Sequence, residues 1–417
     1  MRHSAHYGIC GVSGLVKNCV QKRRSIARVR GRSRLGLALL AICVIAVLLP
    51  ATAMSGAMEQ AKRLHERLTG VPPTDAVLLD MTNDIIGGAE INAAFTAMDN
   101  SSFYDVTLKN FVAPWTNRDR SVLVPLNDYT ATVIGMIRDD VPFNTVLSAN
   151  IVYIGNAGLS LTPYSMTNNL HYEELEQSGL SLKDNLVQMP QSAITDLPSS
   201  GIAGIMTTRA AAQAFFIAGT NRAMYRFTML NHLCKDLEEI KDITLSADRI
   251  RQDVSRSPGG DSRIFLNNCI GCHTGMEPLT QAYAYYDFDE ALGRIVYTPG
   301  QVQPKYLQNA DNFRSGYVTA NDSWDNYWRE GQNQVLGWDT GRSASGSGAA
   351  SMGDELANST AFAQCQVKKA FRAVCFRDPS DANDRNKIDQ VVTSFRSGNS
   401  YQMKQVFAET AVYCMGQ

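Results

Sequence analysis

The sequence has no excess of charge of either sign, no internal repeat and no apolar run as long as the roughly 20 residues of a membrane span. Its 39 basic and 40 acidic residues leave a net charge of −1, so the composition does not favour binding to nucleic acid. No period of about 20–50 residues recurs, which excludes a solenoid. The chain has 417 residues, of which 44% are hydrophobic and 19% charged, and this suits two or three folded domains rather than disorder.

The N-terminal region has the pattern of an export signal. A basic block at 17–34 contains no acidic residue and leads into a mostly apolar run at 35–49. This run is shorter than the roughly 20 residues of a membrane span, and it suits the apolar core of a signal peptide. Pro50 then breaks the helix, and the small residues Ala51 and Ala53 predict cleavage before Met54.

The alternative for 1–53 is an uncleaved anchor with its basic side in the cytoplasm. In both cases the sequence predicts that the bulk of the protein lies in the periplasm or cell envelope. Contact with a membrane is then expected only through this segment, if it stays uncleaved.

Six of the nine cysteines lie beyond the leader. They are Cys234, Cys269, Cys272, Cys365, Cys375 and Cys414. Cys269 and Cys272 form a Cys-x-x-Cys unit, and the other four are an even number in an oxidising compartment, where disulfides persist.

Three pairings of those four cysteines are possible. On one helix Cys365 and Cys375 would be about 15 Å apart, which is too far for a disulfide. Cys375 and Cys414 fall at the C-terminal ends of two helices that run parallel. The spacing therefore favours pairing Cys375 with Cys414, and Cys234 with Cys365.

Residues 269–273 read Cys-Ile-Gly-Cys-His, the pattern of c-type haem attachment. Two thiols three residues apart on one helical turn can reach the two vinyl groups of one porphyrin, and the adjacent imidazole then faces the iron. The sequence therefore predicts one covalent haem c, attached through Cys269 and Cys272, with His273 as the proximal iron ligand.

Three other interpretations of the motif compete. A thioredoxin-like redox couple is disfavoured because no strand–helix–strand pattern surrounds the motif. A zinc site is disfavoured because no second Cys-x-x-Cys and no His-x-x-x-His follows it. A plain disulfide between Cys269 and Cys272 is the third.

The sequence leaves the sixth iron ligand open, although Met and His are the common choices. Met352 is the leading candidate and His232 is the next, with His171 and His65 weaker. Met276 follows His273 too closely to reach the opposite face of the haem. An open sixth position would favour catalysis over pure electron transfer.

Groups around the proximal ligand are expected to orient its imidazole and to surround the haem. An iron-bound imidazole normally donates its other N–H to an acceptor, and the backbone carbonyl of Pro278 is the predicted partner. Aromatic residues that follow could wall the haem or simply belong to the core. These are Tyr283, Tyr285, Tyr286 and Phe288.

Helical patterns dominate the rest of the chain. They predict helices at 56–70 and about 221–241, and three helices after residue 351 that form a small antiparallel bundle. The Gly-, Asn- and Ser-rich stretch 299–350 predicts a long irregular loop. Trp324, Trp328 and Trp338 favour partial order there, and the loop that carries them is expected to present a docking surface for a partner.

The predicted fold class is therefore mainly α, in which a cytochrome-c-like haem segment follows a helical N-terminal part. The predicted divisions follow in chain order. They are a signal peptide or anchor at 1–53, a mostly helical domain at 54–245, the haem-binding segment at 246–298, the loop at 299–350 and the helical bundle at 351–417.

Residues 274–279 continue the motif as Thr-Gly-Met-Glu-Pro-Leu, and an aromatic-Asp element follows at 286–289. This segment resembles the haem-binding segment of the planctomycete-type cytochrome c proteins, with Glu277 in place of the usual Asp. Looser similarity covers most of 60–417. It lies at 67–74, 201–207, 221–222, 233–234 and 352–414.

The domains of that family have no assigned function, so the resemblance implies an exported, mostly helical haem protein and no substrate. The chain is short for the family and holds one haem motif. The predicted function is one-electron transfer to a redox protein partner, as an electron carrier rather than a catalyst. The alternatives are a peroxidase-type haem enzyme with an open distal site, and a haem-containing structural subunit of an envelope complex.

Overall fold

The computed structural model describes residues 56–217 and 219–416. The predicted signal peptide or anchor at 1–53 lies outside these residues. Within them, no helix is both long enough and apolar enough to cross a membrane.

Helices make up 57% of the structure and strands 7%, which confirms a mainly α fold. The α-helices are α1 Ala57–Thr69, α2 Asp75–Ile86, α3 Glu90–Met98, α4 Lys109–Val112, α5 Asp128–Arg138, α6 Leu170–Gln177, α7 Leu182–Asn185, α8 Gln191–Ile194, α9 Arg209–Ala211, α10 Arg222–Thr228, α11 Ser262–Ile264, α12 Ile270–Thr280, α13 Ala349–Ala357, α14 Thr360–Cys375, α15 Ala382–Thr393 and α16 Met403–Cys414. Five π-helical segments extend or precede them: Phe103–Leu108, Ala212–Phe216, Met229–Leu233, Phe265–Cys269 and Ser394–Gly398.

The strands form three separate antiparallel pairs. They are β1 Val152–Gly155 with β2 Leu186–Met189, β3 Tyr286–Asp289 with β4 Arg294–Tyr297, and β5 Ser323–Asp325 with β6 Ser345–Ser347. Each pair is too short to form a sheet core of its own, so the strands serve as local braces on a helical body.

Local sequence explains where the clearest helices begin and end. Helix α1 stops at Gly70, which has a left-handed conformation with φ of 75°. Glycine adopts this conformation without steric strain because it has no Cβ atom. At the other end of the chain, the Ser359 side chain accepts a hydrogen bond from Phe362 N and caps α14, and Asp381 caps α15 in the same way. The predicted helix at 56–70 and the three C-terminal helices are confirmed.

The N-terminal and C-terminal helices share one hydrophobic core. Phe407 of α16 packs edge-on against Phe103, with 5.3 Å between ring centroids. The Gln60 side chain of α1 donates to the Gly416 carbonyl at 2.8 Å. The two ends of the described chain are therefore held together by packing and by hydrogen bonds.

The structure places the four outer cysteines in two pairs at disulfide-bonding distance. Cys234 and Cys365 have Cα atoms 5.2 Å apart, and the Cα atoms of Cys375 and Cys414 are 5.5 Å apart. This is the pairing that the helix spacing favoured. One bridge ties the end of the 222–233 helical segment to α14, and the other ties α14 to α16.

The helix predicted at 221–241 ends early. Its α-helical part, α10, passes into a π-helical turn that stops at Leu233, and Cys234 then takes a left-handed conformation with φ of 54°. The buried side chains include Met224, Tyr225 and Met229.

The three tryptophans of 299–350 lie inside the protein, and the docking surface expected on this stretch stays a prediction. Trp324, Trp328 and Trp338 are all buried. The Trp324 Nε1 donates to Ser351 Oγ at 2.8 Å, and the Trp338 Nε1 donates to the Trp328 carbonyl at 2.8 Å. The stretch has little regular structure, but these rings fasten it to the core.

Candidate haem-attachment site

The Cys-x-x-Cys-His motif spans the junction between a π-helical turn and α12. Cys269 is the last residue of the turn, and α12 begins at Ile270. The Asp242 N donates to the Gly271 carbonyl at 2.8 Å, and the Thr274 hydroxyl donates to the Asp242 carbonyl at 2.8 Å. The segment around Asp242 therefore fixes the start of the helix that carries His273.

A close contact fixes the other side of α12. A Cβ atom built on Gly275 would lie 1.9 Å from the Trp328 Nε1, a distance that no side chain tolerates. Only glycine lets the indole lie this close to the helix backbone. Helix α12, which we call the motif helix because it carries His273, is thus held against a ring from the 299–350 stretch.

Cys269 and Cys272 are both free thiols, unlike the four paired cysteines. Both are half-buried, and Cys272 Sγ lies 3.5 Å from the Leu237 carbonyl. Burial, and then the nearby Glu238 carboxylate, raise the pKa of the Cys272 thiol. A raised pKa keeps this thiol protonated, which is the opposite of what a nucleophilic redox cysteine requires.

The imidazole of His273 is fixed through one nitrogen. Its Nδ1 lies 2.8 Å from Oε1 of Glu277, which is one helical turn later on the same face of α12. The His273 side chain is 20% exposed, and its Nε2 makes no hydrogen bond within the described residues. The ring is therefore oriented, with Nε2 left for another partner.

The prediction that the Pro278 carbonyl would accept from His273 is corrected by this contact. The carboxylate of Glu277 is the partner of Nδ1. Pro278 lies inside α12, where its carbonyl points along the helix axis and not across to a ring five residues earlier. Glu277 lies four residues after His273, and side chains at this spacing on a helix are neighbours, so its carboxylate is the nearer acceptor.

Glu277 is fully buried and belongs to an ionic cluster. Oε1 lies 2.6 Å from Arg222 Nε, and Oε2 lies 3.2 Å from Arg251 Nε. Arg222 also makes two hydrogen bonds of 2.9 Å to the carboxylate of Asp253. Burial alone would raise the pKa of the Glu277 carboxyl, but Arg251 and Arg222 hold it well below its usual value. The acceptor of His273 is therefore an anion.

Most of this cluster has no signal in the sequence. The i,i+4 spacing of His273 and Glu277 on a helix was the signal for the first contact. Arg251 and Asp253 lie in an irregular segment with no periodic pattern. Arg251 is almost fully buried, with its guanidinium 4.7 Å from the Tyr306 ring centroid, and no local feature indicates this.

Met352, the leading candidate for the sixth ligand, is fully buried on α13. This helix packs against the Gln281–Tyr283 turn, which directly follows α12. Met276 is also buried, on α12 itself. The two methionines belong to the same hydrophobic core as Trp328.

His232, the alternative ligand, has other partners. Its Nε2 lies 2.8 Å from the Tyr129 hydroxyl, and its ring contacts Trp115 and Phe362. Its Nδ1 is buried without a partner in the described chain. None of these contacts involves residues 269–273.

The two weaker histidine candidates are engaged in the structure. Both nitrogens of His171 are used, since Nε2 accepts from Gly155 N at 2.9 Å and Nδ1 lies 2.7 Å from the Thr162 carbonyl. The Nδ1 of His65 lies 2.8 Å from the Val71 carbonyl. Both rings therefore stabilise backbone segments that lie outside residues 269–273.

Apolar side chains are exposed beside the motif. Ile243 is 68% exposed, and its Cγ2 would lie 3.3 Å from a Cβ atom on Gly271. Ile264, which ends α11, is 40% exposed, and Leu266, in the turn that ends at Cys269, is 54% exposed. A large apolar group bound at the motif would remove these side chains from water.

The residues present fit a haem, which Cys269 and Cys272 would hold through two thioethers and to whose iron His273 would supply a nitrogen. Two unpaired cysteines precede a histidine whose Nδ1 is anchored and whose Nε2 is free. No group of three or more His, Cys, Asp or Glu side chains in the described part of the chain is placed to hold a metal ion on its own. No family model, curated protein or solved structure matches the chain.

Proposed function

We propose that this protein is an exported c-type cytochrome that carries one haem and transfers single electrons to a redox protein partner in the cell envelope. One observation carries the proposal. Beside two unpaired cysteines, His273 has its Nδ1 anchored by a buried carboxylate, which leaves Nε2 as a ligand for iron. Resemblance to the planctomycete-type cytochrome c proteins at 269–289 agrees with it.

The chain's own residues have defined tasks in this proposal. Cys269 and Cys272 hold the macrocycle, and His273 supplies the proximal nitrogen. Glu277 orients the imidazole. Haem iron, when bound, supplies the one-electron step between its ferric and ferrous states.

Two further observations support export. A basic block followed by an apolar run and small residues is the pattern of a secretion signal. Two cysteine pairs at bonding distance suit an oxidising compartment, because cytosolic thiols are kept reduced.

The attachment is tested by a pyridine haemochrome spectrum of protein exported from a host with c-type maturation machinery. We expect a c-type band that survives acid-acetone extraction, at one haem per chain. The Cys269→Ser/Cys272→Ser variant is expected to lose it. A matched control is Cys375→Ser/Cys414→Ser, which removes a disulfide and leaves the band. Wild-type protein without covalent haem would overturn the proposal, and 269–272 would become a disulfide or thiol couple.

Electron transfer is tested on the haem-loaded protein. We expect reversible reduction by a mild reductant. A pure electron carrier has a sixth iron ligand, so carbon monoxide is not expected to bind under native conditions. Haem that binds carbon monoxide readily and turns over peroxide would contradict electron transfer and favour a peroxidase. Inert haem with a stable copurifying partner would favour a structural subunit.

A further inference from the structure

A second site lies away from the motif, in a pocket of about 460 Å³ between α1, residues 106–120 and α14. Its volume is in the range of small-molecule sites, roughly 300–1,000 Å³. We call it the cationic pocket because four cations line it and no carboxylate does. These cations are Arg67, Arg120, Lys369 and Arg372, and the aromatic rings beside them are Phe111, Trp115 and Phe376.

Three of the four cations have no ionic partner in the described part of the chain. Arg372 pairs with Asp378, but within the described residues no carboxylate pairs with Arg67, Arg120 or Lys369. Like charges gathered in a partly desolvated space repel one another. Burial first, and then the charges of Arg120 and Arg372, lower the pKa of Lys369 well below its usual value. An anion in this space would relieve the repulsion.

The cations also have hydrogen-bond donors to spare. Lys369 Nζ donates to the Asn231 carbonyl and can make further bonds, since an ammonium has three donors. One Arg67 nitrogen donates to the Val374 carbonyl at 2.8 Å, but its buried Nε has no partner in the described chain. A buried donor without a partner is costly, and a ligand oxygen would satisfy it.

Aromatic surface complements the charge. The Lys369 Nζ is 3.3 Å from the Trp115 ring centroid, and the Arg67 guanidinium is 5.4 Å from the Phe376 ring centroid. Phe376 is 70% exposed, which is unusual for a large apolar side chain at the mouth of a pocket. The walls thus offer both a flat apolar face and positive charge.

We propose that the cationic pocket binds a small aromatic carboxylate. The carboxylate group accepts hydrogen bonds from Lys369, Arg67 and Arg120. The aromatic body packs against Trp115 and Phe376. This site is independent of haem, because none of its lining residues belongs to the motif helix.

The test is isothermal titration calorimetry of the purified full-length protein with 1-naphthoate. We expect binding of one naphthoate per chain. The neutral analogue 1-naphthalenemethanol and inorganic phosphate are each expected to bind at least about tenfold more weakly, since one lacks the charge and the other the aromatic body.

Two variants separate charge from packing. Arg120→Gln removes an exposed cation that makes no side-chain hydrogen bond or ion pair in the described chain, so folding is expected to be unaffected. Phe376→Asn removes the aromatic wall at a left-handed residue, φ 55°, that asparagine tolerates. Each is expected to weaken naphthoate binding about tenfold. Arg314→Gln, which removes an exposed cation elsewhere, is the control and leaves binding unchanged.

Absence of naphthoate binding, or equal affinity in wild type and Arg120→Gln, would overturn the proposal. Equal affinity for the neutral alcohol would do so too, because the cations would then have no role. Phosphate binding as tight as that of naphthoate would also overturn it, because it would leave the aromatic wall without a function.

Discussion

The carboxylate of Glu277 lies one helical turn beyond His273, with its Oε1 2.8 Å from the imidazole Nδ1, and the same carboxylate contacts two arginines. The contact therefore joins the surface of the motif to a fully buried ionic cluster. A positioning group of this kind determines which nitrogen of the imidazole is available to a metal.

Replacing Glu277 with Gln is expected to destabilise the fold. The neutral side chain would leave the almost fully buried Arg251 without its nearest counter-charge, and breaking a buried pair costs about 3–5 kcal/mol. Urea denaturation measures the change in free energy of unfolding. Glu66→Gln, which removes a surface pair with Lys62, is the control and is expected to cost less than about 1 kcal/mol. A Glu277→Gln midpoint equal to wild type would contradict the cluster's role.

The same substitution is expected to raise the midpoint potential of the haem-loaded protein. An anionic acceptor on Nδ1 strengthens electron donation by the imidazole and so stabilises the ferric state, whereas a neutral amide does this less. Spectroelectrochemical titration measures the shift. Asp384→Asn is the control, because it removes a buried, arginine-paired carboxylate in α15, outside the motif helix. If both variants shift the potential equally, Glu277 has no specific influence on His273.

Gly275→Ala is expected to destabilise the protein by about 1–3 kcal/mol, because a Cβ atom would overlap the Trp328 ring and force the 299–350 stretch away from α12. Thermal denaturation and tryptophan fluorescence report the change. Gly158→Ala is the matched control, since a Cβ there would make only one ordinary contact, at 3.6 Å. An unchanged melting temperature in Gly275→Ala would show that the ring moves at no cost.

The two disulfides are expected to differ in their contribution to stability. Cys234–Cys365 closes a chain separation of 131 residues and Cys375–Cys414 one of 39. Loop-closure entropy then makes the first pair worth about 1 kcal/mol more than the second. Paired Cys→Ser variants, unfolded in urea with the other disulfide intact, measure the difference. A larger loss from removing Cys375–Cys414 would contradict the entropic account.

Stability is expected to fall as pH is lowered from about 7 to 5. Burial first, and the Lys369 charge second, keep the pKa of His232 well below its usual value of about 6.5. The folded state keeps this ring neutral, and the unfolded state takes up a proton below that value. The contribution of the neutral His232 ring to the free energy of unfolding is therefore complete above about pH 6.5. It is lost as the pH falls, by up to about 1.4 kcal/mol per pH unit.

The free energy of unfolding, measured by urea denaturation across this range, gives the slope against pH. His232→Gln keeps a possible partner for the Tyr129 hydroxyl and removes the titrating group, so its slope is expected to be flatter. Equal slopes in the two proteins would rule out His232 as the source.

Local features of the chain were predictable from the sequence. The helix that ends at Gly70 and the C-terminal bundle follow from periodicity, capping residues and a left-handed glycine, all of which act over a few residues. The pairing of Cys375 with Cys414 followed from their places at the C-terminal ends of two parallel helices. The haem motif is itself local, because its chemistry depends on three residues within five positions.

Prediction failed where distant segments meet. The tryptophans of 299–350 lie among polar and small neighbours that give no sign of burial, yet they are buried against α12 and α13. The partner of His273 was assigned to the wrong acceptor, because the choice between a carbonyl and a carboxylate depends on where the side chains of one helix turn lie.

The sequence by itself determined the mainly helical fold and the presence of a Cys-x-x-Cys-His motif, because both depend on residues that are only a few positions apart. Only the tertiary structure decided that Glu277 is buried between Arg222 and Arg251, and that Arg67, Arg120 and Lys369 share one pocket. Those residues come from segments tens to hundreds of positions apart. Their proximity results from the packing of one hydrophobic core, which no local pattern encodes.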